Sequence, residues 1–83
     1  MSAQEIQERL LDFITSNFVV ERQAVDVNKS MIDTGIIDSF GLIEISAYLK
    51  RTHGISVEEH DMVRENFGSI TRIVDFVQRK LGA

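Results

Sequence analysis

Apolar side chains return at intervals of three and four in two separated stretches of this chain, and a helix of 3.6 residues per turn is the structure that gathers them onto one face. Over residues 3–17 the set is Ile6, Leu10, Phe13 and Ile14, with Leu11 on the shoulder and Glu5, Glu8, Arg9 and Asp12 largely between them. Over residues 70–81 it is Ile70, Ile73, Val74, Val77 and Leu81. Ser69 stands where a capping hydroxyl is wanted, and Arg79 and Lys80 lie near the C-terminus, where the helix dipole favours cations. A further helix is expected from about residue 39 to 52, opened by the capping pair Asp38-Ser39 and closed by Gly54. Residues 59–66 predict a short helix, too brief to stand without packing. No alternating pattern long enough for a strand and no internal repeat occurs. The expected fold is all-α: a small four-helix bundle of three longer helices and one short one, forming a single domain over residues 1–83.

From residue 18 to 38 the periodicity fades and turn-forming residues accumulate, among them Asp26, Asn28, Ser30, Asp33 and Gly35. This reads as a long loop between the first and second helices. Its apolar members Val25, Val27, Met31, Ile32, Ile36 and Ile37 predict that it packs over the helices. Loops this long in a small domain often carry function. The core is expected to use Ile6, Leu10, Phe13, Leu42, Ile45, Leu49, Ile73, Val74 and Val77.

Charge and size remove several function classes. With 83 residues the chain has little structure to spare for a large substrate cleft. Nine basic against thirteen acidic residues give a net charge of −4, which argues against a nucleic-acid binder. Residues 1–42 hold seven acids and three bases, and residues 43–83 hold six of each, so the acidity is local. Without cysteine there is no disulfide and no thiolate zinc site, and any thiol chemistry must be borrowed. The start MSAQEIQERL is polar and acidic, unlike a secretory signal, and no stretch approaches the roughly 18 apolar residues of a membrane span. A cytoplasmic, monomeric protein is expected.

The second helix carries more apolar surface than one core contact needs. With Phe40 at the origin of a helical wheel, Ile43, Glu44, Ala47 and Arg51 fall within about 60° of it, while Leu42, Ile45 and Leu49 lie at about 140–200°. One stripe must face the core. The other is either covered by Ile36 and Ile37 of the loop or exposed as a docking surface, and the sequence leaves both readings open.

Ser39 sits where loop becomes helix. Unpaired backbone N–H groups and the positive end of the helix dipole there would favour a phosphate on its hydroxyl, although an isolated Asp-Ser pair most often serves only as a cap. The wider pattern Asp33-Thr34-Gly35-Ile36-Ile37-Asp38-Ser39-Phe40-Gly41-Leu42-Ile43-Glu44 lies near the middle of an acidic chain, between an amphipathic helix and a short-plus-long helical tail. In this it resembles the acyl and peptidyl carrier protein family over nearly the whole length. The resemblance implies 4'-phosphopantetheine, delivered from coenzyme A by a magnesium-dependent phosphopantetheinyl transferase and held covalently on Ser39. It implies transferase recognition by Asp38, and partner contacts by Phe40, Ile43, Glu44 and Ala47. A protein of this kind is a phosphoprotein and not an enzyme. It carries acyl groups as thioesters to the loading and transferring enzymes of fatty acid or specialised acyl biosynthesis, within lipid metabolism.

Two departures narrow that picture. Gly35 and Ser39 are one residue further apart than in many fatty acid carriers, a form similar to D-alanyl carriers and some other discrete specialised carriers. Lys50 and Arg51 stand where fatty acid carriers are often acidic. An aminoacyl or D-alanyl carrier is therefore the alternative within the class, and an unmodified helical adaptor using only the Phe40 and Ile43 stripe is the alternative outside it. The sequence around Ser39 lacks the nucleophile elbow of a hydrolase. His53 and His60 are separated by the turn at Gly54 and read as surface residues without a metal. The cluster Glu58, Glu59, Asp61 and Glu65 reads as solvated surface or as a second recognition patch.

Overall fold

A computed structural model describes residues 2–18 and 20–82; Met1, Val19 and Ala83, which the single-domain reading includes, lie outside the described residues. Four α-helices follow one another: α1 (Ala3–Asn17), α2 (Ser39–His53), α3 (Arg64–Phe67) and α4 (Ile70–Lys80). No strand occurs among the described residues. None of the helices is long and apolar enough to cross a membrane. The all-α reading holds, and the three longer helices begin and end within a residue or so of their expected bounds.

Local chemistry explains those bounds. Ser2 caps α1 by accepting from the Glu5 N–H at 3.2 Å, and Ser69 caps α4 by accepting from the Arg72 N–H at the same distance. Gly54 closes α2 in the left-handed region at φ +69, its N–H donating to the Lys50 carbonyl at 3.0 Å. An isolated 15-residue helix would be marginal in water, so these elements persist through a shared core.

That core joins Ile6, Leu10 and Ile14 of α1, Ile45 and Leu49 of α2, and Ile73 and Val77 of α4, all essentially inaccessible. Of the expected core, Phe13 and Leu42 are only partly buried and pack against the cluster. Met31, Tyr48, Ile55, Phe67 and Phe76 are buried members that helical periodicity alone does not single out. The loop docks as expected through Met31 and Ile37, with Val25, Val27 and Ile36 partly buried, but Ile32 points outward, 47% exposed. Thr71 anchors it to α4 by donating from both N–H and Oγ1 to the Val27 carbonyl, at 2.9 and 3.0 Å.

The expected short helix over residues 59–66 is instead two pieces: a 3-10 turn at Glu59–Asp61 and the single turn of α3. Met62, at φ −84 and ψ 63, forms an inverse γ-turn, with the Val63 N–H donating to the Asp61 carbonyl at 2.9 Å. Asp61 is not the solvated acid that the charge cluster suggests. It is buried, accepts from the Glu58 N–H at 3.0 Å and meets Lys80 Nζ of α4 at 3.3 Å. The Glu58 amide, then Lys80, hold its carboxyl below the usual carboxylate range against the opposing effect of burial. His60 is exposed, whereas His53 is half-buried, with Nε2 shut off from solvent and without a hydrogen-bond partner among the described residues. Its burial, then the charge of Arg9, push the imidazole pKa down.

Both shifts favour the deprotonated forms in the folded state, so both contributions are complete at neutral pH and are lost as pH falls. Urea unfolding midpoints should decline in two stages on acidification, the first starting below about pH 6.5 and the second below about pH 4. His53→Leu should flatten the first stage and Asp61→Asn the second; a wild-type profile flat from neutrality to pH 5 would contradict the assignment of His53.

Candidate functional site

The path of the chain into α2 fixes how Ser39 is presented. Residues Ser30–Thr34 make a helical turn that ends in a Schellman arrangement. Ile36 N–H donates to the Met31 carbonyl at 2.9 Å and Gly35 N–H to the Ile32 carbonyl at 3.0 Å, with Gly35 at φ +79. The positive φ at Gly35 turns the chain so that Ile37 drops into the core. There Ile37 lies so close to α2 that a Cβ on Gly41 would fall 2.8 Å from Ile37 Cβ and 3.2 Å from Phe18 Cε1. Gly41 is thus the residue that lets loop and helix close on one another.

With Ile37 anchored, Asp38 falls at the N-cap in extended backbone, and its Oδ1 accepts from the Gly41 N–H at 3.0 Å. The capping task belongs to Asp38 alone. Ser39 is the first helical residue, it is exposed, and its hydroxyl makes no hydrogen bond among the described residues. The N–H groups of Ser39 and Phe40 belong to the unpaired set at a helix start, so an oxyanion attached to Ser39 Oγ would meet donors and a favourable dipole. A depression of about 350 Å³ opens on the loop side, lined by Phe18, Gly35, Ile36, Ile37 and Asp38.

Sequence left open whether the loop covers the outer stripe of α2. Ile37 turns inward and Ile36 is half-buried, leaving Phe40 75% and Ile43 56% exposed. Glu44 and Ala47 are exposed on the same helix. A second apolar spot went unread in the sequence: Ile32 and Val63, the latter 40% exposed, both line an apolar cleft of about 120 Å³ with Leu42, Met62 and Phe67. The signal for Ile32 was its neighbour: once Met31 takes the core position in that turn, Ile32 must face away. Another depression, about 480 Å³, lies apart from Ser39, between the loop and α3, where Arg64 meets Asp33 at 3.6 Å.

No family model matches the chain. It is similar to the D-alanyl carrier proteins of Streptococcus pyogenes serotype M5 (strain Manfredo), serotype M49 (strain NZ131) and serotype M1. Identity with each is 28% over 73 residues, covering 88% of this chain and 91% of the relative. Among solved structures, a chain from a crystal structure described as an FAD-dependent dehydrogenase superposes with a TM-score of 0.71 at 20% identity, over 82% of this chain and 97% of that one. That likeness concerns the fold. The resemblance to carrier proteins read from the central motif therefore extends over most of the chain, and it supports a carrier role.

Proposed function

We propose that residues 1–83 form a carrier protein bearing 4'-phosphopantetheine on Ser39, and that its cargo is D-alanine or a similarly small aminoacyl group held as a thioester. The observation that carries this reading is the division of labour at the start of α2: Asp38 spends its carboxylate on the cap, and the Ser39 hydroxyl is left exposed, with no hydrogen bond among the described residues. A phosphodiester fits this position, since the helix start offers amide donors. A cysteine-free chain that handles thioesters needs a sulfur from elsewhere, and the pantetheine group supplies a thiol at the end of a flexible arm.

The chain's own residues hold and present; they make and break no bonds. Ser39 offers the hydroxyl, Asp38 fixes the helix start that a phosphopantetheinyl transferase would engage, and Phe40, Ile43, Glu44 and Ala47 form the face for loading and transferring enzymes. Docking on that face turns delivery of the cargo into an intramolecular event, raising its effective concentration. The D-alanyl reading is favoured over a fatty acid role by the relatives' names and by the spacing of Gly35 and Ser39. A cytoplasmic, monomeric protein, supplied there with coenzyme A, completes the proposal.

The test is intact-mass analysis after incubation with coenzyme A, magnesium and a broad-specificity transferase. The protein should gain the mass of one phosphopantetheine, and the holo form should then gain D-alanine from a D-alanine-activating enzyme and ATP in preference to a fatty acyl group. No mass gain in the first step would leave the adaptor reading, in which Phe40 and Ile43 act without any modification.

A further inference from the structure

The outer face of α2 is polarised along its length. Glu44 places a negative charge within the apolar strip of Phe40, Ile43 and Ala47, and Lys50 and Arg51 place positive charge at the end far from Ser39. All of these are exposed. Of the other seven cations four are engaged within the fold, Arg22 with Glu8 and Asp12, Arg64 with Asp33, Arg79 with Asp75 and Lys80 with Asp61, whereas Arg9, Lys29 and Arg72 make no ion pair among the described residues. Among the described residues Glu44, Lys50 and Arg51 make no ion pair.

The helix dipole gives one reason for cations at the C-terminal end. It does not set which face they occupy. On the wheel Arg51 lies about 20° and Lys50 about 80° from Phe40, so both flank the apolar strip and do not point to the opposite side. At 1.5 Å per residue, Arg51 is about 10 Å along the axis from Glu44 and about 18 Å from Ser39. Both distances exceed the Debye length of about 8 Å at physiological salt, so a partner meets two separate charges and not a cancelled pair.

We infer that the enzyme loading D-alanine onto this protein presents a face of matching polarity: a basic group opposite Glu44, an apolar pocket for Phe40 and Ile43, and carboxylates opposite Lys50 and Arg51. This rests on the carrier reading of Ser39 and adds the register and charge of the partner to it. Lys50 and Arg51 at the far end would reject an enzyme whose basic groups are built for a uniformly acidic helix, because like charges brought together at an interface cost affinity.

The experiment compares wild type, Lys50→Glu/Arg51→Glu, Lys50→Ala/Arg51→Ala and Glu44→Lys as holo proteins. The readout is transfer of D-alanine by a D-alanine-activating enzyme at low and high salt, with circular dichroism confirming the helices. Both charge reversals should lower kcat/KM about tenfold at low salt, through KM and not kcat, and the Ala pair by less. High salt should narrow the differences. Transfer that is indifferent to Lys50 and Arg51, or improved by their reversal, overturns the inference while the carrier reading stands. Failure of wild-type holo protein to accept D-alanine overturns it together with the cargo assignment, and the mass gain at Ser39 then tells whether the modification site survives.

Discussion

Ser39→Ala should leave the unfolding free energy within about 0.5 kcal/mol of wild type and abolish the phosphopantetheine mass gain completely. Stability is spared because the hydroxyl makes no hydrogen bond among the described residues, the side chain is exposed, and alanine suits the first turn of a helix. Asp38→Ala gives the contrasting pattern: losing the acceptor for the Gly41 N–H should cost about 1 kcal/mol and slow labelling while leaving the attachment atom in place. A Ser39→Ala protein that still gained mass would move the modification elsewhere. One that unfolded would give Ser39 a structural role that its exposure does not suggest. The adaptor alternative predicts the opposite functional result, since a partner gripping Phe40 and Ile43 would be indifferent to the hydroxyl.

The order of events at residues 35–41 also shows where the sequence could be read and where it could not. That a helix starts at Asp38-Ser39 was legible, because few residues are as good at an N-cap; which of the two does the capping was not, because both rank highly. The answer depends on Ile37. Its burial against Gly41 sets the backbone so that the Asp38 carboxylate reaches the Gly41 N–H, and this contact spans loop and helix where no periodic pattern exists. The same burial decides the exposure of Phe40 and Ile43, which a wheel can place opposite Leu42, Ile45 and Leu49 but cannot uncover.

Elsewhere the division follows the range of the interaction. α1, α2 and α4 were legible because their faces and caps are set by residues within one or two turns of each other. Residues 59–66 were not, since the γ-turn at Met62 is stabilised by Asp61 turning back to Glu58 and by Lys80, nineteen residues downstream, reaching in from α4. A charge cluster cannot reveal that one of its four acids is buried. Tyr48 was likewise missed: it flanks the inner stripe of α2 and is buried by stacking on Phe13 of α1, with ring centroids 4.3 Å apart.

Leu49→Ala should be the most damaging of the core truncations at α2, costing about 2–5 kcal/mol. Leu49 is wholly inaccessible and shares one cluster with Ile6, Leu10, Ile14, Ile45, Ile73 and Val77, so the cavity left by alanine opens where three helices meet. A chain of this size has roughly 4–12 kcal/mol of stability in all, so the loss is a large fraction of what holds the fold. It should lower Tm by about 10 °C or more. The consequence reaches Ser39, because α2 cannot persist alone and its inner stripe is what fixes the helix whose first residue carries the hydroxyl. Labelling by the transferase should therefore fall in proportion to the folded fraction as urea is raised, with the midpoint for Leu49→Ala shifted down and the m-value unchanged. Leu49→Met, which keeps the volume, should cost less than about 1.5 kcal/mol and label like wild type. If Leu49→Ala cost less than Leu49→Met, α2 would not be seated through this stripe, and the outward presentation of Phe40 and Ile43 would lose its structural basis along with it.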